Sequence, residues 1–214
     1  MIQAPYIVWD WNGTLLDDSL ACVSALNAML ARRGIAAIDL AYYRRFFAFP
    51  ARGFYKRLGM RLELEDWDAV AKEYHDAYLS EPAALAKDAV AALELVRRAG
   101  AGQSIVSALR QDHLDAATAR HGVRGFFDAV RGTDNLDGAS KTVVARRLAA
   151  ELSSPGGRGL VMIGDSLHDK EVADAIGAKC VLFSGGSHSA DRLEPAAPTA
   201  ATLVDAARIA LDLV

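Results

Sequence analysis

Short apolar runs recur along the chain at 6–9, 103–107, 129–131, 160–163 and 180–183, most of them β-branched and followed by acidic or turn-forming residues. Runs of that length and character predict parallel strands buried on both faces. Between them, apolar positions fall at helical spacing. Asp88 can cap a helix carrying Val90, Leu93 and Val96 that stops at Gly100, and Ser140 can cap another carrying Val144, Leu148 and Leu152. Strand and helix therefore alternate, which predicts an α/β fold built on a doubly wound, Rossmann-like parallel sheet.

One connection breaks that rhythm. A βαβ unit takes about 30 residues, yet Asp10 closes the first strand and Gln103 opens the next. Helical patterns fill the excess: 19–33, with Leu20, Val23, Leu26 and Leu30 on one face and Gly34 as its stop, then 42–48, 52–58 and 65–79. We read residues 17–81 as a small inserted α-helical cap domain, and 1–16 together with 82–214 as the α/β core. The stretch 153–159 reads as a loop within that core.

Candidate chemistry gathers at strand ends. Asp10 lies in WDWNGTLLDD, before a sharp turn through Asn12, Gly13 and Thr14. The carboxyl ends of strands border the ligand crevice of an open α/β sheet, so Asp10 either faces that crevice or caps its own turn. In LVMIGDSLHDK, Asp165 ends a strand and Asp169 follows four residues later at a helix entrance. Two carboxylates so spaced suit a hard, oxygen-ligated cation such as Mg²⁺, while separately they read as a turn former and a helix N-terminal acid. Ser107 ends another strand, where it is also an ordinary N-cap. Lys141 opens a helix, a poor place for a cation beside the helix dipole, so it calls for an acidic or phosphate neighbour. Together the set offers a nucleophile, metal carboxylates, a hydroxyl and a fixed cation, which is what a phosphoryl transition state requires.

Composition narrows the class without changing this picture. The 214 residues are 52% apolar and 24% charged, with a net charge of −3 and no basic block, so no nucleic-acid surface is indicated. No run approaches the roughly 18 apolar residues of a membrane span, and the N-terminal MIQAPYIVWD reads as neither a signal nor a transit peptide. Cys22 and Cys180 lack the spacing of a disulfide framework or zinc site and are expected to be reduced and buried, in a cytoplasmic protein. Either a monomer or a homodimer is compatible with the chain.

The order Asp10-x-Asn12-Gly13-Thr14, Ser107, Lys141, Gly164-Asp165-Ser166-x-x-Asp169 resembles the four motifs of the haloacid dehalogenase superfamily, and is most similar to its phosphoglycolate-phosphatase-like branch with a helical cap. The resemblance spans nearly the whole chain. It implies that the strand ending at Asp10 lies between those ending at Asp165 and Ser107. It further implies a phosphatase of small phosphorylated metabolites in which Asp10 attacks phosphorus to form an aspartyl-phosphate. Mg²⁺ would be held by Asp10, the Asn12 backbone carbonyl and Asp165, with Asp169 supporting through water or by pairing with Lys141. Ser107 and the neighbouring backbone N–H of Ala108 would hold phosphate oxygens, and Lys141 would neutralise charge on nucleophile and phosphate.

The sequence departs from that pattern at Asn12, where such phosphatases carry a second Asp that protonates the leaving alcohol. An amide cannot transfer that proton, and general acid–base assistance is worth about 10²–10⁴ in rate. The expectation is a slow enzyme, an easier leaving group, or a substitute donor, for which His168 is near enough in sequence; the alternative is a catalytically impaired binding or regulatory protein. A phospho-accepting receiver and a hydrolytic dehalogenase fit less well, the first for want of a cap and the second because of the Gly13-Thr14 turn and the acidic motif. In YYRRFFAFPARGFYKRLG at 42–59, Arg45 and Arg52 are candidate cap contacts to an anionic metabolite. His75, His113, His121 and His188 show no ligand spacing and read as structural or solvated.

Overall fold

A computed structural model of the protein describes residues 4–134, 141–152 and 159–213. The chain begins with β1 (Tyr6–Trp9) and a two-residue strand β2 (Leu16–Asp17). It then runs through helices α1 (Ser19–Arg32), α2 (Leu40–Phe46), α3 (Ala51–Arg57) and α4 (Trp67–Ser80), and β3 (Ala84–Leu85) returns antiparallel to β2. From there helix and strand alternate through α5 (Ala89–Arg98), β4 (Gln103–Arg110), α6 (Gln111–Arg120), β5 (Ala129–Thr133), α7 (Lys141–Leu152), β6 (Leu160–Gly164), α8 (Leu167–Ala175) and β7 (Lys179–Phe183). A short α9 (Ala190–Leu193), β8 (Thr199–Ala200) and α10 (Leu203–Asp212) complete it.

Among the described residues, six parallel strands form one sheet in the order β5-β4-β1-β6-β7-β8. The α/β class and the central place of β1, between β4 and β6, are as expected. Alternation along β1 divides the core between the two faces of the sheet. Ile7 and Trp9 pack with Ala89, Leu93, Leu203 and Ala207 on one face, while Tyr6 and Val8 pack with Ala145, Leu148, Val172 and Leu193 on the other. Residues of the helical insertion form a third cluster, with Leu26, Met29 and Leu30 of α1 against Tyr43, Phe54, Tyr55, Val70 and Tyr78. Arg33, just after α1, pairs with Glu65 before α4 at 2.5 Å and with Glu73 of α4 at 2.7 Å.

Several expectations need correction. Leu20, assigned to the buried face of α1, is 69% exposed, and Val90 of α5 is 46% exposed. At about 100° per residue, each sits roughly a third of a turn off the buried stripe, which the expected Val23, Leu26 and Leu30 carry with Cys22 and Met29 in α1, and the expected Leu93 and Val96 carry with Ala89 and Ala92 in α5. Asp88 does not cap α5 with its side chain; its Oδ2 accepts from the Val204 amide at 2.9 Å and so pins the start of α10. Strand β4 runs on to Arg110 with an irregularity between Val106 and Arg110. β8 was not foreseen, because two residues leave no alternation to read. The Ser140 cap and most of the 153–159 loop lie outside the described residues.

Candidate active site

The Asp10 amide donates to the Ile163 carbonyl at 2.8 Å, which fixes the end of β1 against β6. The chain then turns at Gly13, whose φ of 75° is a left-handed conformation and whose missing side chain leaves room for Asp165; a Cβ there would lie 2.3 Å from Asp165 Oδ2. Asp165 is held by Thr14 Oγ1 at 3.0 Å on one oxygen and by the Ser187 amide at 2.5 Å on the other. Asp169 enters α8 in a capping box with Ser166, its Oδ2 accepting from the Ser166 amide and hydroxyl. Lys141 lies between the two motifs, 2.6 Å from Asp10 Oδ1 and 2.5 Å from Asp169 Oδ1. The anionic neighbour that Lys141 called for is therefore a pair of carboxylates.

Charge is out of balance in this cluster. Asp10, Asp165 and Asp169 are all buried, each offers an oxygen within 4.8 Å of the others, and they share one ammonium. Burial pushes the Asp10 carboxyl well above its ordinary range, with Lys141 pulling it back only in part. Burial and then the charge of Asp169 push Asp165 up to about 6. For Asp169, burial is outweighed by Lys141, which holds it below its ordinary value. Lys141 itself is held above its ordinary value, since Asp10 and Asp169 outweigh its burial. Since Lys141 serves Asp10 and Asp169, Asp165 and the rest of Asp10 are oxygen donors in search of positive charge. That donor set fits a divalent, oxygen-seeking cation such as Mg²⁺.

Asn12 is clamped. Its Nδ2 donates to Asp18 Oδ2 and to the Tyr78 hydroxyl, both at 2.7 Å, and the Tyr78 hydroxyl donates to Asp18 Oδ2 at 2.6 Å. The Gly13 amide donates to the other Asp18 oxygen at 2.7 Å. Burial raises Asp18 above the ordinary carboxylate value despite these donors. Ser107 Oγ donates to Asn12 Oδ1 at 3.2 Å and accepts from the Leu109 amide at 3.0 Å.

Over residues 7–183 the chain matches the family described as haloacid dehalogenase-like hydrolase. The protein belongs to that family. It is 29% identical to the phosphoglycolate phosphatase of Caulobacter vibrioides, over 84% of this chain and 79% of that protein. It is also 29% identical to the 5′-nucleotidase of Pseudomonas aeruginosa, over 92% of this chain and 90% of that protein. A predicted phosphatase from Clostridium acetobutylicum shares the fold with a TM-score of 0.80 at 19% identity, over 98% of this chain and 99% of that one. This haloacid dehalogenase-like hydrolase is thus an enzyme of the phosphoglycolate-phosphatase-like branch.

In this hydrolase a cavity of about 140 Å³ opens from Asp10, Lys141 and Asp165 into the helical insertion. Asn12, Asp18, Ala108, Ser166 and Ser187 line it together with the rings of Tyr43, Phe47, Tyr55, Trp67, Tyr74 and Tyr78, the last reaching Asn12 and Asp18 through its hydroxyl. Ser107 is buried beneath Ala108 and is not itself among the lining residues. His168 lines the cavity; its Nδ1 lies 3.0 Å from Glu171, and its buried Nε2 has no hydrogen-bond partner among the described residues. Arg45 and Arg52 are not brought to the site. Both are exposed, with guanidinium groups 5.7 Å from the Phe46 ring and 5.4 Å from the Trp67 ring respectively. Arg44 instead grips the core, donating to the Gly186 and Gly185 carbonyls at 2.9 and 2.7 Å.

Residues outside the sequence-based set now stand in the site. Asp18 was visible as the last acid of WDWNGTLLDD, but its partner Tyr78 sits far along the chain on α4, with nothing nearby to mark it. Cys22 and Cys180 are free and buried. No helix among the described residues is long and apolar enough to cross a membrane.

Proposed function

We propose that this hydrolase is a Mg²⁺-dependent phosphomonoesterase of small phosphorylated metabolites that works through an aspartyl-phosphate on Asp10. The observation that carries this reading is the Asp10 carboxylate, set at the end of the central strand, oriented by Lys141 and sharing one cavity with Asp165. A carboxylate oxygen of Asp10 attacks phosphorus, the phosphorus–oxygen bond of the ester breaks, and the leaving oxygen takes up a proton. Water then attacks the phosphorus of the aspartyl-phosphate, releasing inorganic phosphate and restoring the carboxylate. Lys141 offsets negative charge in both steps. Asp10, the Asn12 backbone carbonyl and Asp165 would hold Mg²⁺, which would supply Lewis-acid neutralisation of phosphoryl charge; Asp169 supports them by holding Lys141. The Ala108 amide, at the cavity wall, is a donor for phosphate oxygens, with Ser107 bracing Asn12 below it.

Residues 17–81 act as the cap over a core of 1–16 and 82–214. Their separate hydrophobic cluster and their contribution of the aromatic cavity wall support this division. Asn12 supplies no proton, so chemistry is slow for basic leaving groups unless another donor such as His168 reaches the leaving oxygen. The testing experiment is phosphate release from a panel of phosphorylated metabolites, with and without Mg²⁺, beside Asp10→Asn. Release is expected to need Mg²⁺ and to vanish in the variant. Full activity of metal-free protein, or of Asp10→Asn, would overturn the mechanism.

A further inference from the structure

Among the described residues, the cavity wall carries no fixed positive charge besides Lys141. No arginine is among the described residues that line it, and its single lysine, Lys141, is taken by Asp10 and Asp169. Most arginines of the insertion are engaged elsewhere: Arg32 and Arg33 with Glu73 and Glu65, Arg44 with backbone carbonyls of the core, and Arg45, Arg52 and Arg57 over aromatic rings, Arg52 over that of the wall residue Trp67 without lining the cavity itself. What remains is a wall of rings. Tyr43, Phe47 and Tyr55 are buried, and Trp67, Tyr74 and Tyr78 continue the surface. A second anionic group on the substrate would lose its water here and meet only neutral tyrosine hydroxyls and histidine rings, with no guanidinium or second ammonium among the described lining residues, which is unfavourable for a buried charge. An aromatic ring would gain contact on several sides.

We propose that the preferred substrate is a phosphomonoester whose organic group is aromatic and uncharged, and that this wall discriminates against esters bearing a second anion such as phosphoglycolate. The inference rests on the phosphomonoesterase reading above and adds the substrate class. It agrees with the proton accounting at Asn12, because a phenolic oxygen leaves as a weaker base than an alkoxide and needs less protonation. The two observations are independent, one concerning the cavity wall and the other the chemistry at the phosphorus.

Binding separates this inference from catalysis. Dissociation constants of benzylphosphonate and 3-phosphonopropionate, neither of which can be hydrolysed, are measured by calorimetry on the whole protein with Mg²⁺ present. Benzylphosphonate is expected to bind at least roughly tenfold more tightly, the lower range for such discrimination. Trp67→Ala is expected to weaken benzylphosphonate while leaving methylphosphonate unchanged; the wild-type comparison decides the matter even if that variant folds poorly. Equal or tighter binding of 3-phosphonopropionate overturns the inference and leaves the phosphatase reading standing. Binding of neither, together with no phosphate release from any ester, overturns both.

Discussion

Replacing Asn12 by Asp tests the proton accounting directly, and the structure shows that the outcome depends on Asp18. The Asn12 amide nitrogen lies 2.7 Å from Asp18 Oδ2, so Asn12→Asp sets two carboxylates at hydrogen-bond distance in a buried pocket. Unit charges 4 Å apart repel by about 4 kcal/mol at an effective dielectric of about 20, equivalent to roughly three pKa units. The pair is therefore expected to hold one shared proton at neutral pH and to titrate as a unit. A carboxyl that retains its proton near pH 7 is what a general acid needs. Loss of the amide donors to Asp18 and Tyr78 costs about 1–3 kcal/mol of stability, partly offset by the shared proton. In the double variant Asn12→Asp/Asp18→Asn the amide and the carboxylate exchange places, which restores a donor to the contact and removes the proton sharing.

Benzyl and phenyl phosphate make the suitable pair of substrates, since both present an aromatic ring to the wall but leave as a basic alkoxide and a weaker phenoxide. Asn12→Asp is expected to raise kcat/KM for benzyl phosphate by about 10²–10⁴, the usual worth of a general acid, and to change phenyl phosphate far less. The double variant should recover stability and gain less on benzyl phosphate, because its carboxyl is ionised at neutral pH. Steady-state rates on wild type, on the single variants Asn12→Asp and Asp18→Asn, and on the double variant form a double-mutant cycle that isolates the coupling of positions 12 and 18. Should wild type hydrolyse benzyl phosphate as fast as phenyl phosphate, with no gain in Asn12→Asp, another residue is the acid and the reasoning fails.

Metal binding should depend on pH through Asp165, which burial raises to about 6 in the metal-free protein from an unfolded value of about 3.9. Between those values the folded protein keeps a proton that the unfolded chain has lost, so this contribution to metal-free stability fades as pH rises through about 6. Mg²⁺ needs the ionised carboxylate, so its affinity should fall by up to roughly tenfold per pH unit below about 6. Thermal unfolding with and without Mg²⁺ should show a larger gain at pH 8 than at pH 5, and equal gains would remove Asp165 from the metal site. A second expectation concerns Gly186, where a Cβ would lie 2.2 Å from the Gly13 carbonyl oxygen and 2.4 Å from Asp165 Oδ2. Gly186→Ala should cost about 1–3 kcal/mol in overpacking and weaken the Mg²⁺-dependent thermal gain, whereas unchanged unfolding with full Mg²⁺ response would show that this close approach is unimportant.

Much of the polar cluster was legible in the sequence because its determinants are local. A buried strand that ends in Asp and meets a turn brings that carboxylate to the open end of the sheet, where it either faces the crevice or caps its turn, and the structure has Asp10 and Asp165 lining one cavity there. A lysine in a first helical turn is electrostatically misplaced unless an anion faces it, and Lys141 does meet Asp10 and Asp169. Periodicity also located the four α-helices of the insertion, though not the 3₁₀ turn at Leu62–Leu64 nor which side of the stripe Leu20, and Val90 in the core helix α5, would take, since an amphipathic pattern defines a face only to within about a third of a turn. Tertiary structure alone decided the rest. The Asp18–Tyr78–Asn12 clamp joins α4 to the turn after β1, and Arg44 reaches from α2 to the loop after β7. An arginine can stack on a ring, pair with an acid or grip a carbonyl at similar free energy, and its choice depends on what folding brings within reach. Arg45 and Arg52 took rings, the cavity kept its aromatic wall, and the character of the substrate pocket follows from that placement rather than from the basic residues written in the sequence.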